Sequence, residues 1–263
     1  MISLLNEMSD RFSSGRFGLL WDFYRPGILR QLGWMAAGLL CLYILAILTR
    51  AANSFGLFGL VNTMIVLPIY LGPLVFAVYR DRSLQTLLPA SGIEKALFML
   101  LYTVIAVPLA EVVIWYGIEG VFGVFGVAPD VLRSFDGKIK ESFMELGIAD
   151  YDVFNPLRLA TELLPAVVCL YVVVSSRGQR VLKGIGGIVG TVVAMGLVSG
   201  IYGAYMGFRF AMLESDGMAM EEAVRVTVVE ATPTLIAVMS VIVPLLLLLA
   251  VAITWRRITK VQV

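Results

Sequence analysis

The stretch Tyr79-Arg-Asp-Arg-Ser-Leu-Gln-Thr-Leu-Leu-Pro-Ala-Ser-Gly-Ile-Glu-Lys95 separates two apolar runs, each of which is long enough to cross a lipid bilayer. A short apolar patch in it stops at Pro89, and Ser91 and Glu94 follow at the spacing of a capping box. In such a box, the serine hydroxyl and the glutamate carboxylate accept hydrogen bonds from free backbone N–H groups at a helix start. The stretch therefore predicts a short helix across the inner membrane face, followed by a new membrane span.

The composition of the chain is that of a membrane protein. Of its 263 residues, 59% are hydrophobic and 15% are charged, and the mean hydropathy is +0.90. These values are far too apolar for a soluble domain of this length. We therefore expect an all-α integral membrane protein that contacts the lipid bilayer along most of its length.

Apolar runs and their boundaries predict six transmembrane helices. Pro68 and Pro73 interrupt the second one, where they predict a kink rather than a break. Asn155-Pro156 and Thr232-Pro233 each predict a cap and a first-turn proline, for the fourth and sixth spans. The predicted spans are residues 28–48, 57–78, 96–115, 159–175, 184–205 and 235–253.

Residues 1–27 form a predicted cytoplasmic interfacial segment that Pro26 and Gly27 end, and the transmembrane domain is residues 28–263. Phe17, Leu20, Trp21 and Tyr24 recur in it at helical spacing. This pattern fits a helix with its aromatic face in lipid, and it fits equally a helix packed on the protein's own spans. Two outer segments, 118–156 and 208–231, complete the layout, and apolar residues at helical intervals from 129 to 147 predict an amphipathic helix in the first.

Basic residues indicate the orientation of these spans. If both termini are cytoplasmic, the inner segments hold 13 of the 20 Lys and Arg residues and only 5 of the 19 acidic residues. An excess of Lys and Arg marks the cytoplasmic side of a membrane protein. We therefore expect a multi-pass membrane protein with both termini on the cytoplasmic side. The total charge of +1 offers no basic face for nucleic acid.

Several kinds of catalytic and metal site are disfavoured. The chain has no histidine, which is the commonest general base and a common metal ligand. Cys41 and Cys169 lie in apolar runs, where packing as small hydrophobic residues is the usual role. We predict that the chain is not an enzyme, has no metal site and carries no cofactor of its own.

Two carboxylates in or near the spans are candidates for a substrate or proton path. Glu111 lies 16 residues beyond Lys95, which is roughly 24 Å along a helix. Glu162 follows Arg158 by one turn, a spacing that allows an ion pair. A charged side chain at membrane depth is costly and often functional. An interfacial structural role for both carboxylates is the alternative.

The fifth span is rich in glycines that lie near one helical stripe. Small residues at four-residue spacing let another helix approach closely. The stripe therefore predicts a helix-packing face, formed by Gly186, Gly190, Gly196, Gly200, Gly203 and Gly207.

The run from Arg82 to Lys95 resembles the cytoplasmic segment of type-2 ABC exporter permeases, in which a short coupling helix docks on the ATPase. More narrowly, its Leu-Pro-Ala-Ser and Glu-Lys pattern is similar to that of poorly characterised Bacteroidota membrane proteins of permease type. The interfacial helix before the first span and the six spans also resemble that fold. The first outer segment is longer than a minimal exporter of this family has.

The resemblance implies a transmembrane permease subunit that couples a separate ABC ATP-binding subunit to the movement of a substrate. The chain lacks a phosphate-binding loop of the Gly-x-x-x-x-Gly-Lys-Ser/Thr type, so the partner subunit would bind ATP. The family also implies a homodimer or a pair with a related permease chain. The candidate docking residues are Arg80, Arg82, Leu84, Leu87, Leu88, Glu94 and Lys95.

Two alternatives remain open from the sequence. The candidate docking residues also fit a membrane-surface turn whose arginines reach phosphate head groups. The whole chain also fits a non-transporting membrane scaffold or regulatory protein that binds other membrane proteins through its glycine-rich span.

Overall fold

The computed structural model describes residues 13–49, 67–78, 90–125, 156–176 and 178–260. Most of the described residues are helical, and no strand occurs among them. In chain order the helices are α1 (Ser14–Thr49), α2 (Leu74–Val78), α3 (Gly92–Leu101), a π-helical segment (Tyr102–Ala106), α4 (Val107–Val124), α5 (Pro156–Ser175), α6 (Arg180–Ser215) and α7 (Met220–Lys260).

Three helical stretches of the described part are long and apolar enough to cross a membrane: Gly92–Val124, Arg180–Ser215 and Val238–Lys260. They contain most or all of the predicted third, fifth and sixth spans. Two shorter apolar helices, Leu67–Ala77 and Ala160–Ser175, fall within the predicted second and fourth spans. The described part is thus helical, with three candidate membrane spans, which is consistent with the expected all-α membrane protein. Six spans with both termini cytoplasmic stay a prediction.

Helix α1 runs without interruption through Pro26, so the predicted helix end at Pro26 and Gly27 is wrong. A proline inside a helix removes one backbone hydrogen bond, yet packing can hold the helix together across the gap. Here Tyr24 and Ile28 flank the proline, and each is buried against other helices. Leu20 is also buried, whereas Trp21 is 44% exposed. Most of the aromatic face therefore packs on the protein itself rather than in lipid.

The helix before α2 breaks at Gly72 and Pro73, which form a turn between residues 67–71 and α2. The predicted kink is therefore wrong at this proline. Pro73 has no N–H to donate, and the amides of Val75 and Phe76 donate to Gly72 and Pro73 only three residues back. Gly72 also lies against α4, since a Cβ there would stand 3.0 Å from Val107 Cγ2.

Helix α7 begins at Met220 and continues through positions 232 and 233, so the predicted helix start at Thr232-Pro233 is wrong. A short link, 216–219, is the non-helical part between α6 and α7. The described part of α5 begins at Pro156. Asn155 lies outside the described residues, so the predicted cap and first-turn proline stay a prediction. The predicted amphipathic helix at 129–147 also lies outside them.

Helix α5 forms the centre of the packing. It contacts α6, α7, α2 and the π-helical segment. Its side chains Ala166, Val167, Cys169, Leu170 and Val173 are fully buried. The outward faces of α6 and α7 instead expose many large aliphatic side chains, as expected of helices that face lipid.

Candidate functional site

The first candidate site is the start of α3, directly after the segment 79–89, which lies outside the described residues. Ser91 caps the helix as predicted: its Oγ accepts from the Glu94 N–H at 3.2 Å. Glu94 Oε2 accepts from the Ser91 N–H at 2.7 Å. The capping box is therefore confirmed.

The same carboxylate also holds the beginning of α1. Glu94 Oε1 accepts from the Ser13 N–H at 2.7 Å and from Arg16 Nε at 3.2 Å, and Arg16 Nη2 lies 3.1 Å away. The Glu94 side chain is 0% exposed, whereas that of Arg16 is 38% exposed. We call Ser13, Arg16, Ser91 and Glu94 the clamp. It fastens the starts of α1 and α3 to each other.

The clamp gives Glu94 a structural task within this chain. Its carboxylate is enclosed and occupied, and Lys95 beside it is buried too. The other candidate docking residues, Arg80, Arg82, Leu84, Leu87 and Leu88, lie outside the described residues. Docking on an ATPase stays a prediction for all seven.

An aromatic cluster connects the clamp to the middle of the bundle. Phe17 meets Phe98 edge-on with ring centroids 5.5 Å apart, and Tyr24 stacks on Phe98 at 5.6 Å. Phe76 then contacts Tyr24 at 5.2 Å and Tyr102 at 5.4 Å. Edge-to-face and stacked pairs each add to the stability that burial alone gives. The cluster joins α1, α2 and α3 into one unit.

The second site is the crossing, which we define as Gln31, Leu71, Gly72, Tyr102 and Val107. Tyr102 Oη donates to Gln31 Oε1 at 2.9 Å, and Gln31 Nε2 donates to the Leu71 carbonyl at 3.2 Å. The Val75 amide, which would serve that carbonyl in a regular helix, donates to Gly72 instead. Gln31 thus satisfies the backbone that the break at Gly72 and Pro73 frees.

Tyr102 opens the π-helical segment, so the broken helix and the π-helical segment meet at the crossing. Single π-helical turns inside α-helices are rare and occur frequently at functional sites. The sequence interpretation missed the crossing. Two features of the sequence could have indicated the crossing. They are Gln31, a polar residue in the predicted first span, and the pair Gly72-Pro73 in the predicted second span.

The third site is the carboxylate pair, Glu111 and Glu162. Glu111 lies on α4, just beyond the π-helical segment, and is 5% exposed. Neither of its carboxylate oxygens has a hydrogen-bond partner among the described residues. Glu162 lies on α5, close enough for its charge to act on both Glu111 and Tyr70. The structure therefore places the two predicted carboxylates within range of each other's charge.

Arg158 is the predicted ion-pair partner of Glu162. Its side chain lies outside the part of the chain that the structure describes. That ion pair stays a prediction. Among the described residues, no group of three or more Cys, Asp or Glu side chains is arranged to hold a metal ion.

The predicted glycine stripe on α6 faces open space within the described chain. A Cβ added at any of its six glycines would meet no described atom within 4 Å. The close contact is made by two other glycines: a Cβ at Gly184 would stand 2.8 Å from Leu74 Cδ2 and 2.9 Å from Val173 Cγ2, and Gly187 lies against Val172. Close packing on the stripe itself stays a prediction about another chain.

No protein-family model, curated protein or solved structure matches this chain.

Proposed function

We propose that this chain is the transmembrane permease subunit of an ATP-driven ABC-type transporter, which couples a separate ATP-binding subunit to the movement of a substrate. The observation that carries this proposal is the clamp. Two of its residues, Ser91 and Glu94, lie at the end of the run Arg82–Lys95, whose sequence resembles the coupling region of type-2 exporters. It also fastens that position to a second helix, far away in sequence, through the carboxylate of Glu94.

The clamp supports coupling because a force applied to residues 79–89 would act on α1 and α3 together. The Ser13 amide and the Arg16 guanidinium both hold Glu94, which is fully buried. From Glu94 the helical run continues through the π-helical segment to Val124. Glu111 follows Glu94 by 17 residues on that run, or about 25 Å at helical rise. Motion at the docking segment would reach the carboxylate pair along a single helical run.

In this proposal the chain performs no chemistry itself, and the partner subunit binds and hydrolyses ATP. The leucines of the docking segment, Leu84, Leu87 and Leu88, enter a groove of that partner, and Arg80 and Arg82 fix the register. The chain sits in a bacterial inner membrane with both termini inside, and it pairs with a second permease chain.

The experiment is affinity purification of the full chain from its native membrane in mild detergent. Wild type is compared with the Leu84→Asp/Leu87→Asp double variant. The matched control is Val181→Asp/Leu182→Asp, which places the same charges on two exposed apolar side chains at the start of α6. We expect an ATP-binding subunit to accompany wild type and the control, and to be lost from the docking variant.

A second candidate function is a non-transporting scaffold or regulator. The observation that favours it is the glycine stripe of α6, which is open within the described chain and thus accessible to a helix of another membrane protein. The same purification separates the two functions. A membrane protein in place of an ATPase, lost when Gly196 and Gly200 are both changed to Leu, would favour the scaffold and contradict the permease.

A further inference from the structure

Glu111 is a buried carboxylate whose oxygens have no hydrogen-bond partner in the described part of the chain. It is 5% exposed, and no described side chain or backbone group donates a hydrogen bond to either of its oxygens. Buried polar groups are nearly always hydrogen-bonded, so an exception calls for an explanation. An ionised carboxylate in such a place is expensive, because no described protein group replaces the water that it has lost.

The charged side chain that acts on Glu111 is another carboxylate. Glu162 on α5 is the ionisable neighbour whose charge acts on Glu111, and it acts on Tyr70 as well. On the π-helical segment and α4, the described polar side chains of α1 that make contact are Gln31, through Tyr102, and Tyr43, which packs on Trp115. Both are uncharged. Two carboxylates that share one site resist being ionised together.

We propose that Glu111 and Glu162 form a proton-binding site inside the helix bundle, in which Glu111 holds the proton at neutral pH. A proton removes the charge that burial penalises, and with it the repulsion between the two carboxylates. A divalent metal ion fits less well, since the described residues supply no third Cys, Asp or Glu ligand.

The position of the site suits a proton that is taken up and released. Glu111 follows the π-helical segment by little more than one turn, and the broken helix contacts Val107 between them. Both irregular elements can change their hydrogen bonding at less cost than a regular helix can. Loading or unloading Glu111 changes the charge of this region by one unit. The proposal does not depend on an ATPase, so failure of the purification experiment would leave it standing.

The test is pH-difference infrared spectroscopy on the full chain reconstituted in lipid, which detects the C=O stretch of a protonated carboxylic acid. Wild type is compared with Glu111→Gln, Glu162→Gln and the control Glu214→Gln, whose carboxylate is exposed near the end of α6. We expect wild type, Glu162→Gln and the control to show the band at neutral pH. Glu111→Gln is expected to lose it.

Three results would overturn the proposal. They are the absence of the band from wild type at neutral pH, its persistence in Glu111→Gln, and its loss in Glu162→Gln alone. Repeating the measurement with and without Na⁺ adds a fourth, because a wild-type band that appears only after Na⁺ is removed would identify a cation site instead.

A loss of the band in Glu111→Gln can be distinguished from misfolding of the variant. Glutamine is close in shape to a protonated glutamic acid, so Glu111→Gln should fold like wild type. Failure of that variant to fold would itself argue that the site requires a charged carboxylate. Glu111→Asp keeps a titrating group, and we expect it to retain the band at an altered frequency.

Discussion

Glu94 and Glu111 lie on the same helical run, both are buried, and the bundle treats them in opposite ways. Glu94 is 0% exposed, and two backbone N–H groups and a guanidinium satisfy its oxygens. Glu111 is 5% exposed, and no described group donates to it. The comparison shows that burial of a carboxylate does not by itself define a role. A fully paired carboxylate holds helices together, whereas an unpaired one is available to bind something.

The largest effect is expected when Glu94 is changed to Ala. The substitution leaves the partly buried amides of Ser13 and Ser91 without their acceptor and removes the carboxylate that pairs with Arg16. Breaking a buried pair typically costs about 3 to 5 kcal/mol, and the partial exposure of Arg16 places this one at about 3 kcal/mol. Chemical denaturation in detergent, with Glu214→Ala as the control, measures it. A loss no larger than the control's would remove the distinction between the two glutamates.

The clamp also shows which features of the fold the sequence predicts and which it does not. The capping box could be predicted because Ser91 and Glu94 are three residues apart, and local spacing is visible in a single sequence. The other half of the clamp could not, since Ser13 and Arg16 lie 81 and 78 residues from Glu94. Contacts at such separations depend on how the helices pack.

The two misassigned helix boundaries have a related cause. Pro26 and Thr232-Pro233 carry the usual local signals of a boundary, but each helix continues through them. The rule that proline ends a helix takes account only of the hydrogen bond that is lost. It takes no account of the burial of Tyr24 and Ile28, which stabilises α1 on both sides of Pro26. Likewise, the sequence could propose Glu111 and Glu162 as candidates, while their proximity depends on where α5 packs.

The position of α5 is the subject of the second prediction, Gly184→Ala. A Cβ there would stand 2.9 Å from Val173 Cγ2 and 3.3 Å from Cys169 Sγ, both on the helix that carries Glu162. Overpacking of this kind costs about 1 to 3 kcal/mol. We expect a lower denaturation midpoint and a shifted infrared band from Glu111, because α5 must move.

Gly186→Ala is the matched control for that variant. Its Cβ would meet no described atom within 4 Å, so the stability should stay the same or rise by about 0.4 to 1 kcal/mol. A destabilised Gly186→Ala would indicate that a second chain covers the stripe. Equal effects of the two alanines would contradict the described packing of α5 on α6.

Tyr102 provides an intermediate case between the two glutamates. Its hydroxyl makes one neutral hydrogen bond, to Gln31, which in turn serves the Leu71 carbonyl. Tyr102→Phe should therefore cost about 1 kcal/mol, since the glutamine loses a donor while its own bond to Leu71 can remain. The denaturation midpoint measures this, and Tyr116→Phe, at an exposed tyrosine of α4, is the control. A cost as large as that of Glu94→Ala would place the crossing, rather than the clamp, at the centre of the fold.

The smallest effect on stability is expected from Glu111→Gln, and it separates the two glutamates most sharply. If Glu111 holds a proton, glutamine replaces one neutral group by another of similar shape, and the change should stay within about 1 kcal/mol. The same substitution at Glu94 removes a charge that Arg16 and two amides stabilise. Unfolding curves of both variants at neutral pH should therefore differ by more than the error of either. Equal losses would mean that Glu111 is ionised and paired in the membrane, as Glu94 is at the start of α3.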